Sequence, residues 1–154
     1  MPELPLAEIK ATLRPGARLL GLDLGTKTIG IAVSDGGFMV ASPVETLKRG
    51  KFTADAQKLI AMIDERHVGG IILGLPVNMD GTEGPRCQST RQFARNLAAI
   101  RDMPYAFWDE RLSTAAVQRA MIDADLTRAK RAKVVDALAA SYILQGALDF
   151  MANN

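Results

Sequence analysis

The sequence predicts a single α/β domain built on a mixed five-stranded β-sheet with helices against it. Three short apolar segments joined by tight turns come first, and strands connected this way are antiparallel neighbours. The apolar pattern then changes to the helical period, and two further apolar strands each follow a helix. Right-handed crossovers should make these two strands parallel to the first. The length of 154 residues and the hydrophobic fraction of 48% fit one domain with a real core.

The first three strands follow an N-terminal extension, residues 1–16, in which one helical turn is expected around 6–13. Residues 17–152 are expected to form the domain itself. It starts with RLLGLDLG, a strand ending at Gly25, and continues with TIGIAVSD, which ends in a turn signal at 35–37. FMVASPVETL is the third predicted strand.

Helices and buried strands alternate in the rest of the chain. GGIILGLP and YAFWDE are the fourth and fifth predicted strands. The basic segment LTRAKRAK, residues 126–133, is expected to be a loop. Ser113 or Thr114 should cap the third of four predicted helices. Apolar residues at helical spacing predict these helices over 52–66, 85–101, 113–124 and 132–150.

Composition limits the class of protein. Charged residues make up 23% of the chain and its net charge is +2, which excludes wholesale disorder and permits nucleic acid as a partner. No run of eighteen apolar residues is present, so no membrane-spanning helix is expected. One cysteine excludes an internal disulfide framework and a cysteine-based zinc site. Without a signal-peptide pattern at the start, we expect a cytoplasmic protein.

Asp23 lies in the middle of an apolar strand. Side chains alternate along a strand, so Asp23 shares a face with Gly21 and Gly25. A carboxylate at such a position is costly unless it is paired, solvated or bound to a metal. The neighbouring glycines leave room for a ligand or a close backbone, which favours a functional role over a structural salt bridge or cap.

Two further positions carry candidate acids. Asp109 and Glu110 are adjacent at the end of the fifth strand, so they point to opposite sides and only one can face the same site as Asp23. Asp136 lies at the edge of the apolar stripe of the last helix, where the helix dipole also tolerates an acid for structural reasons alone.

Three carboxylates that are remote in sequence can meet only through the fold. If they do, their mutual repulsion requires a compensating cation. Oxygen ligands without histidine or cysteine favour Mg²⁺ or Mn²⁺ over zinc. Hard cations held by shared carboxylates are typical of phosphodiester cleavage.

Basic residues fall into three groups that are ordinarily solvated surface. Next to an acidic metal centre they become candidate contacts to phosphate, which add affinity without sequence preference. The groups are Lys48, Arg49 and Lys51; Arg86, Arg91 and Arg95; and Arg128, Lys130, Arg131 and Lys133.

Four sequence blocks, GLDLGTKTIGIAVSD, GLPVNMDGTEGP, WDERLST and KVVDALAASYIL, together resemble the YqgF family, also called RuvX. The resemblance covers about residues 18–150. It implies a ribonuclease H-like fold and a metal-dependent nuclease of the bacterial cytoplasm. The family is linked to maturation of the 5′ end of 16S ribosomal RNA from its precursor. An older assignment is the resolution of four-way DNA junctions, by similarity to the RuvC resolvase.

Carried over by motif, the resemblance implies that Asp23, Glu110 and Asp136 are both catalytic and metal-binding. Asp109 would support these ligands without being one of them. Asn78 would shape the substrate loop and Arg111 would face a phosphate. The complete set of implied substrate-binding residues is Lys27, Asn78, Arg86, Arg111, Arg128, Lys130, Arg131 and Lys133.

Other readings of the same blocks stay open. GLDLGTKTIG also resembles the phosphate-binding hairpin of the sugar kinase, actin and Hsp70 superfamily, although those proteins close two such domains on ATP and this chain has the length of one. No P-loop signature is present. A non-catalytic nucleic-acid binder would have the same fold. The partner is expected to be structured RNA, such as precursor ribosomal RNA, or branched DNA, and a homodimer would suit the latter.

Overall fold

The computed structural model describes residues 3–112 and 128–153, and the side chains of 3–112 and 136–153. The strands are β1 (Arg18–Leu24), β2 (Thr28–Ser34), β3 (Ala41–Lys48), β4 (Val68–Leu75) and β5 (Tyr105–Asp109). The helices are α1 (Leu6–Ile9), α2 (Phe52–Glu65), α3 (Pro85–Ile100) and α4 (Arg128–Ala152), with 3₁₀ turns at Lys10–Thr12 and Glu110–Leu112. In the described residues no helix is both long and apolar enough to cross a membrane.

The sheet has the strand order β3-β2-β1-β4-β5. β1 pairs antiparallel with β2, and β2 pairs antiparallel with β3. β4 lies parallel to β1, and β5 lies parallel to β4. The predicted mixed sheet, with three antiparallel strands followed by two parallel ones, is therefore confirmed.

Strand alternation divides the core between the two faces of the sheet. Leu20, Leu22 and Leu24 of β1 pack on one face, in a cluster that includes apolar residues of α2 and α3. Leu19 of β1 belongs to the cluster on the other face, which includes buried residues of α4 and of the N-terminal segment. Asp23 shares the parity of Leu19, so its side chain belongs to the face that α4 covers.

The N-terminal segment packs against this sheet. The backbone N–H of Leu4 donates to the carbonyl of Tyr105 at 2.9 Å, and Glu3 forms a parallel bridge with the same residue. Ile9 is fully buried, and its Cδ1 would lie 3.3 Å from a Cβ placed on Gly70. Residues 3–9 thus pair with the start of β5 and fill part of the core on the α4 face.

Two boundaries differ from the prediction. β3 starts at Ala41 rather than Phe38, because the Asp35 carboxylate accepts hydrogen bonds from the amides of Met39 and Val40 and holds these residues in the turn. Segment 126–133 was expected to be a loop, yet α4 already includes residue 128, since alanine, lysine and arginine are strong helix formers. The predicted helix over 113–124, with its cap at Ser113 or Thr114, lies outside the described residues.

Replacing Ile9 with alanine should lower the free energy of unfolding by about 2–4 kcal/mol, because a fully buried side chain is lost from the core. Glu8→Ala, on the exposed side of the same short helix, should change it by less than about 0.5 kcal/mol. Urea unfolding of both variants measures the difference. Equal stabilities would mean that the N-terminal segment detaches before the domain unfolds.

Candidate active site at the carboxyl edge of the sheet

The candidate site lies where β1 ends. β1, β4 and β5 are parallel, so their carboxyl ends meet at one edge of the sheet, the usual position of ligand sites in open α/β sheets. Asp23 is the next-to-last residue of β1 and is only 6% exposed. Its partner on β2 is Gly30. On the other side, Leu22 pairs with Leu73, and the next residues along are Asp23 and Gly74.

Asp136 reaches the site because α4 crosses β2 at Gly30. A Cβ placed on Gly30 would overlap the carbonyl oxygen of Asp136, so only glycine permits this approach. The Thr28 hydroxyl donates a hydrogen bond of 2.5 Å to Asp136 Oδ2. The helix turn that carries Asp136 therefore rests directly on the residue paired with Asp23.

Glu110 approaches from the other side of Asp23. Its Cγ and Cδ would each lie 3.3 Å from a Cβ placed on Gly74. Ala106 and Trp108, four and two residues earlier, belong to the core cluster on the α4 face, and Glu110 lies on the same face. Asp23, Glu110 and Asp136 thus share one face at one edge of the sheet.

Asp109 has the strand parity of Phe107, which packs on the α2 and α3 face, so its side chain leaves β5 on the face opposite to Glu110. Its Oδ2 accepts a hydrogen bond of 2.7 Å from Nη2 of Arg111, and the two side chains form an ion pair. Hydrogen bonds from the Arg111 guanidinium lower the pKa of the Asp109 carboxyl below its ordinary value. The expectation that the adjacent acids face opposite sides of the sheet agrees with these contacts.

The donor set of the site consists of carboxylate oxygens, which suits Mg²⁺ or Mn²⁺. Among the side chains that the structure describes, no three acidic, histidine or cysteine residues form a group that could hold a metal ion as they are positioned. The glycines at positions 30 and 74 bring Asp136 and Glu110 up to the strands that flank Asp23. The site therefore has the ligand types of a hard-cation site. Its three described acids are not yet close enough together to bind one ion as they are positioned.

Two arginines surround the end of β1. Arg49 Nη1 donates to the carbonyl of Gly25 at 2.6 Å, and its guanidinium lies 5.6 Å from the centroid of the Phe93 ring. Arg86 Nη2 donates to the carbonyl of Leu24 at 3.4 Å. Lys27 is exposed at the tip of the β1–β2 hairpin. This edge of the sheet is therefore basic around a buried acid.

The remaining residues that were predicted to contact substrate either bind neighbouring side chains or lie outside the described side chains. Asn78 closes its own loop, with Nδ2 3.0 Å from Thr82 Oγ1. Arg91, from the second basic group, pairs with Glu83 at 2.7 Å and stacks over the ring of Phe107. The side chains of Arg128, Lys130, Arg131 and Lys133 lie outside those described.

Sequence reasoning did not single out two residues of the site. Thr28 was missed, although its parity on β2 is that of Gly30 and places it on the α4 face. Arg49 was noted only as a member of a basic group, since nothing in the sequence indicates that its side chain folds back onto the hairpin.

The strand order and the acidic edge define the class of protein as an α/β domain with a ribonuclease H-like fold. The solved structure of RuvC from T. thermophilus in complex with a Holliday junction superimposes with a TM-score of 0.54. It is 11% identical and covers 88% of this chain and 96% of its own. A second solved structure of Thermus thermophilus RuvC gives a TM-score of 0.53 at 12% identity, covering 88% of this chain and 97% of its own.

The family model for RuvX, described as Holliday junction resolvase, matches residues 17–150, and the chain belongs to this family. A protein of Paramagnetospirillum magneticum named "Putative pre-16S rRNA nuclease" is 60% identical over 149 residues, covering 97% of this chain and 96% of its own. A relative of the same name from Rhodospirillum rubrum is 60% identical over 150 residues, covering 97% and 93%. The resemblance found in the four sequence blocks is confirmed.

Gly30→Ala should destabilise the protein by about 2–3 kcal/mol, because the added methyl overlaps the Asp136 carbonyl and α4 must shift away from β2. Gly36→Ala is the matched control, since a Cβ at that glycine meets no atom closer than 3.5 Å. Thermal unfolding compares the two. If Gly30→Ala is as stable as Gly36→Ala, α4 does not rest on β2 at Gly30.

Proposed function

We propose that the protein is a metal-dependent nuclease in which Asp23, Glu110 and Asp136 hold Mg²⁺ or Mn²⁺. The observation that supports this proposal is the placement of the three acids on one face at the carboxyl edge of the sheet, through the close approaches at Gly30 and Gly74. A structural role for Asp23 alone would not require two other acids to approach its neighbouring strands. When bound, these ions would supply the Lewis acidity that activates water and stabilises the leaving oxygen of a phosphodiester.

The protein's own side chains have separate tasks in this scheme. Asp23 is 6% exposed, and in such a dry environment its charge attracts a cation more strongly than at the surface. Thr28 holds one oxygen of Asp136, which fixes the orientation of that carboxylate. Asp109 keeps Arg111 in place beside the site. Arg86 and Lys27 are exposed at the same edge and are available to a phosphate backbone.

The substrate class that we propose is precursor ribosomal RNA in the bacterial cytoplasm, cleaved near the 5′ end of the 16S sequence. Relatives that are 60% identical over nearly the whole chain carry the name of a pre-16S rRNA nuclease. The second candidate is a four-way DNA junction, which the description of the family model favours. A junction resolvase must present two sites to one substrate, so this candidate also requires a dimer in solution.

Asp23→Asn should abolish cleavage while the fold and most nucleic-acid affinity remain, because the substitution removes a negative charge from the cation site at almost constant shape. Purified protein is incubated with precursor ribosomal RNA and with a four-way DNA junction, each with Mg²⁺, Mn²⁺ or a chelator. Asp64→Asn is the matched control, since Asp64 pairs with Arg101 away from the site. Cleavage by Asp23→Asn at the parental rate would overturn the proposal.

A second pair of variants separates the adjacent acids. Glu110→Gln should reduce the cleavage rate to the level of Asp23→Asn, whereas Asp109→Asn should lower it no more than about tenfold, through a misplaced Arg111. Single-turnover cleavage measures both rates, and metal titration calorimetry should show weakened binding for Glu110→Gln alone. The reverse ranking would assign the metal to Asp109.

A further inference from the structure

The loop between β4 and α3, residues 76–84, presents one large apolar side chain to solvent. Met79 is 88% exposed, more than any other large hydrophobic residue in the described part of the chain. Single exposed apolar residues are common on protein surfaces and need no explanation by themselves. The surroundings of Met79 are what distinguish it.

The loop is rigidly built. The amide of Asn78 donates to the carbonyl of Thr82, and the amide of Gly81 donates to the carbonyl of Asn78, each at 2.9 Å. Asp80 Oδ1 accepts hydrogen bonds from both the amide and the hydroxyl of Thr82. Gly81 has a φ of 91°, a left-handed conformation that suits glycine. Met79 thus lies in a hydrogen-bonded turn with its side chain exposed to solvent.

The same loop is attached to the candidate active site. Arg111 Nη1 donates to the carbonyl of Met79 at 3.4 Å, while the rest of the guanidinium is held by Asp109. Arg111 directly follows Glu110 in the chain. Leu112, the next residue, is itself 69% exposed. Met79 and Leu112 are thus two exposed apolar side chains on segments that the Arg111 hydrogen bond joins, and Glu110 belongs to the second of these segments.

Exposed cations lie at the carboxyl edge of the sheet, from which the loop 76–84 leads away after β4. Lys27 and Arg86 lie at the same edge of the sheet, where β1 ends, and both are exposed. When these cations bind the backbone of a nucleic acid, its bases can contact the protein surface next to the cations. The faces of bases are apolar and polarisable, and a methionine thioether makes favourable contacts with aromatic rings.

We propose that Met79, together with Leu112, contacts the face of an unpaired nucleobase next to the phosphodiester that is cut, and this inference rests on the proposed function. In a duplex each base face is covered by its neighbours, so a single protruding side chain meets a free face only where bases are unstacked or at a helix end. The apolar pair thereby directs cleavage to single-stranded positions without reading their sequence.

The test compares two RNA substrates by fluorescence anisotropy, with metal chelated so that no cleavage occurs. One is a hairpin with a single-stranded tail, and the other is the same hairpin with the tail paired to its complement. Met79→Ser should weaken binding of the tailed hairpin by about three- to tenfold and change binding of the paired form by less than about twofold. Met79→Leu, which keeps an apolar side chain, should retain the parental preference.

Met39→Ser is the matched control. Met39 is 70% exposed at the turn between β2 and β3, at the opposite end of β2 from Thr28, so its replacement should change neither affinity. The inference is overturned if Met79→Ser binds the tailed hairpin as tightly as the parent, or loses affinity equally for both RNAs. The same two substrates are also made as DNA. If the parent protein binds none of the four, the proposed nuclease function fails together with this inference.

Discussion

The arrangement of the site depends on the approach of α4 to the sheet at Gly30. A helix and a strand normally stay apart by the length of their side chains, and here a missing Cβ lets the backbone of Asp136 rest on β2. Gly74 gives Glu110 a comparable approach on the opposite side of Asp23. Two positions without side chains thus determine how near three acids can come, and any chemistry at this edge depends on that spacing.

Much of this arrangement can be predicted from the sequence, because it follows from periodicity. Strand alternation places Asp23 on the face away from Leu22, and the order of strands and helices predicts the parallel arrangement of β1, β4 and β5. The opposite orientation of Asp109 and Glu110 follows from the same rule. These are local regularities, and the structure has them as expected.

The contacts that complete the site are not local. The hydrogen bond from Thr28 to Asp136 joins residues 108 positions apart, and the bond from Arg86 to the carbonyl of Leu24 joins residues 62 apart. Such pairs depend on how helices lie across the sheet, which composition and spacing do not specify. The start of α4 was missed for a related reason, since a cluster of cations suits both a solvated loop and a helix surface.

The pairing of residues 3 and 4 with β5 also affects how the protein can associate with copies of itself. At one border of the sheet, the carbonyl of Tyr105 in β5 is already occupied by the chain's own N-terminal segment. On the other border, Pro43 lacks an amide hydrogen and lies next to a register shift. Each border thus has a position at which pairing with the sheet of a second molecule is disfavoured, which favours a dimer contact through helices or loops.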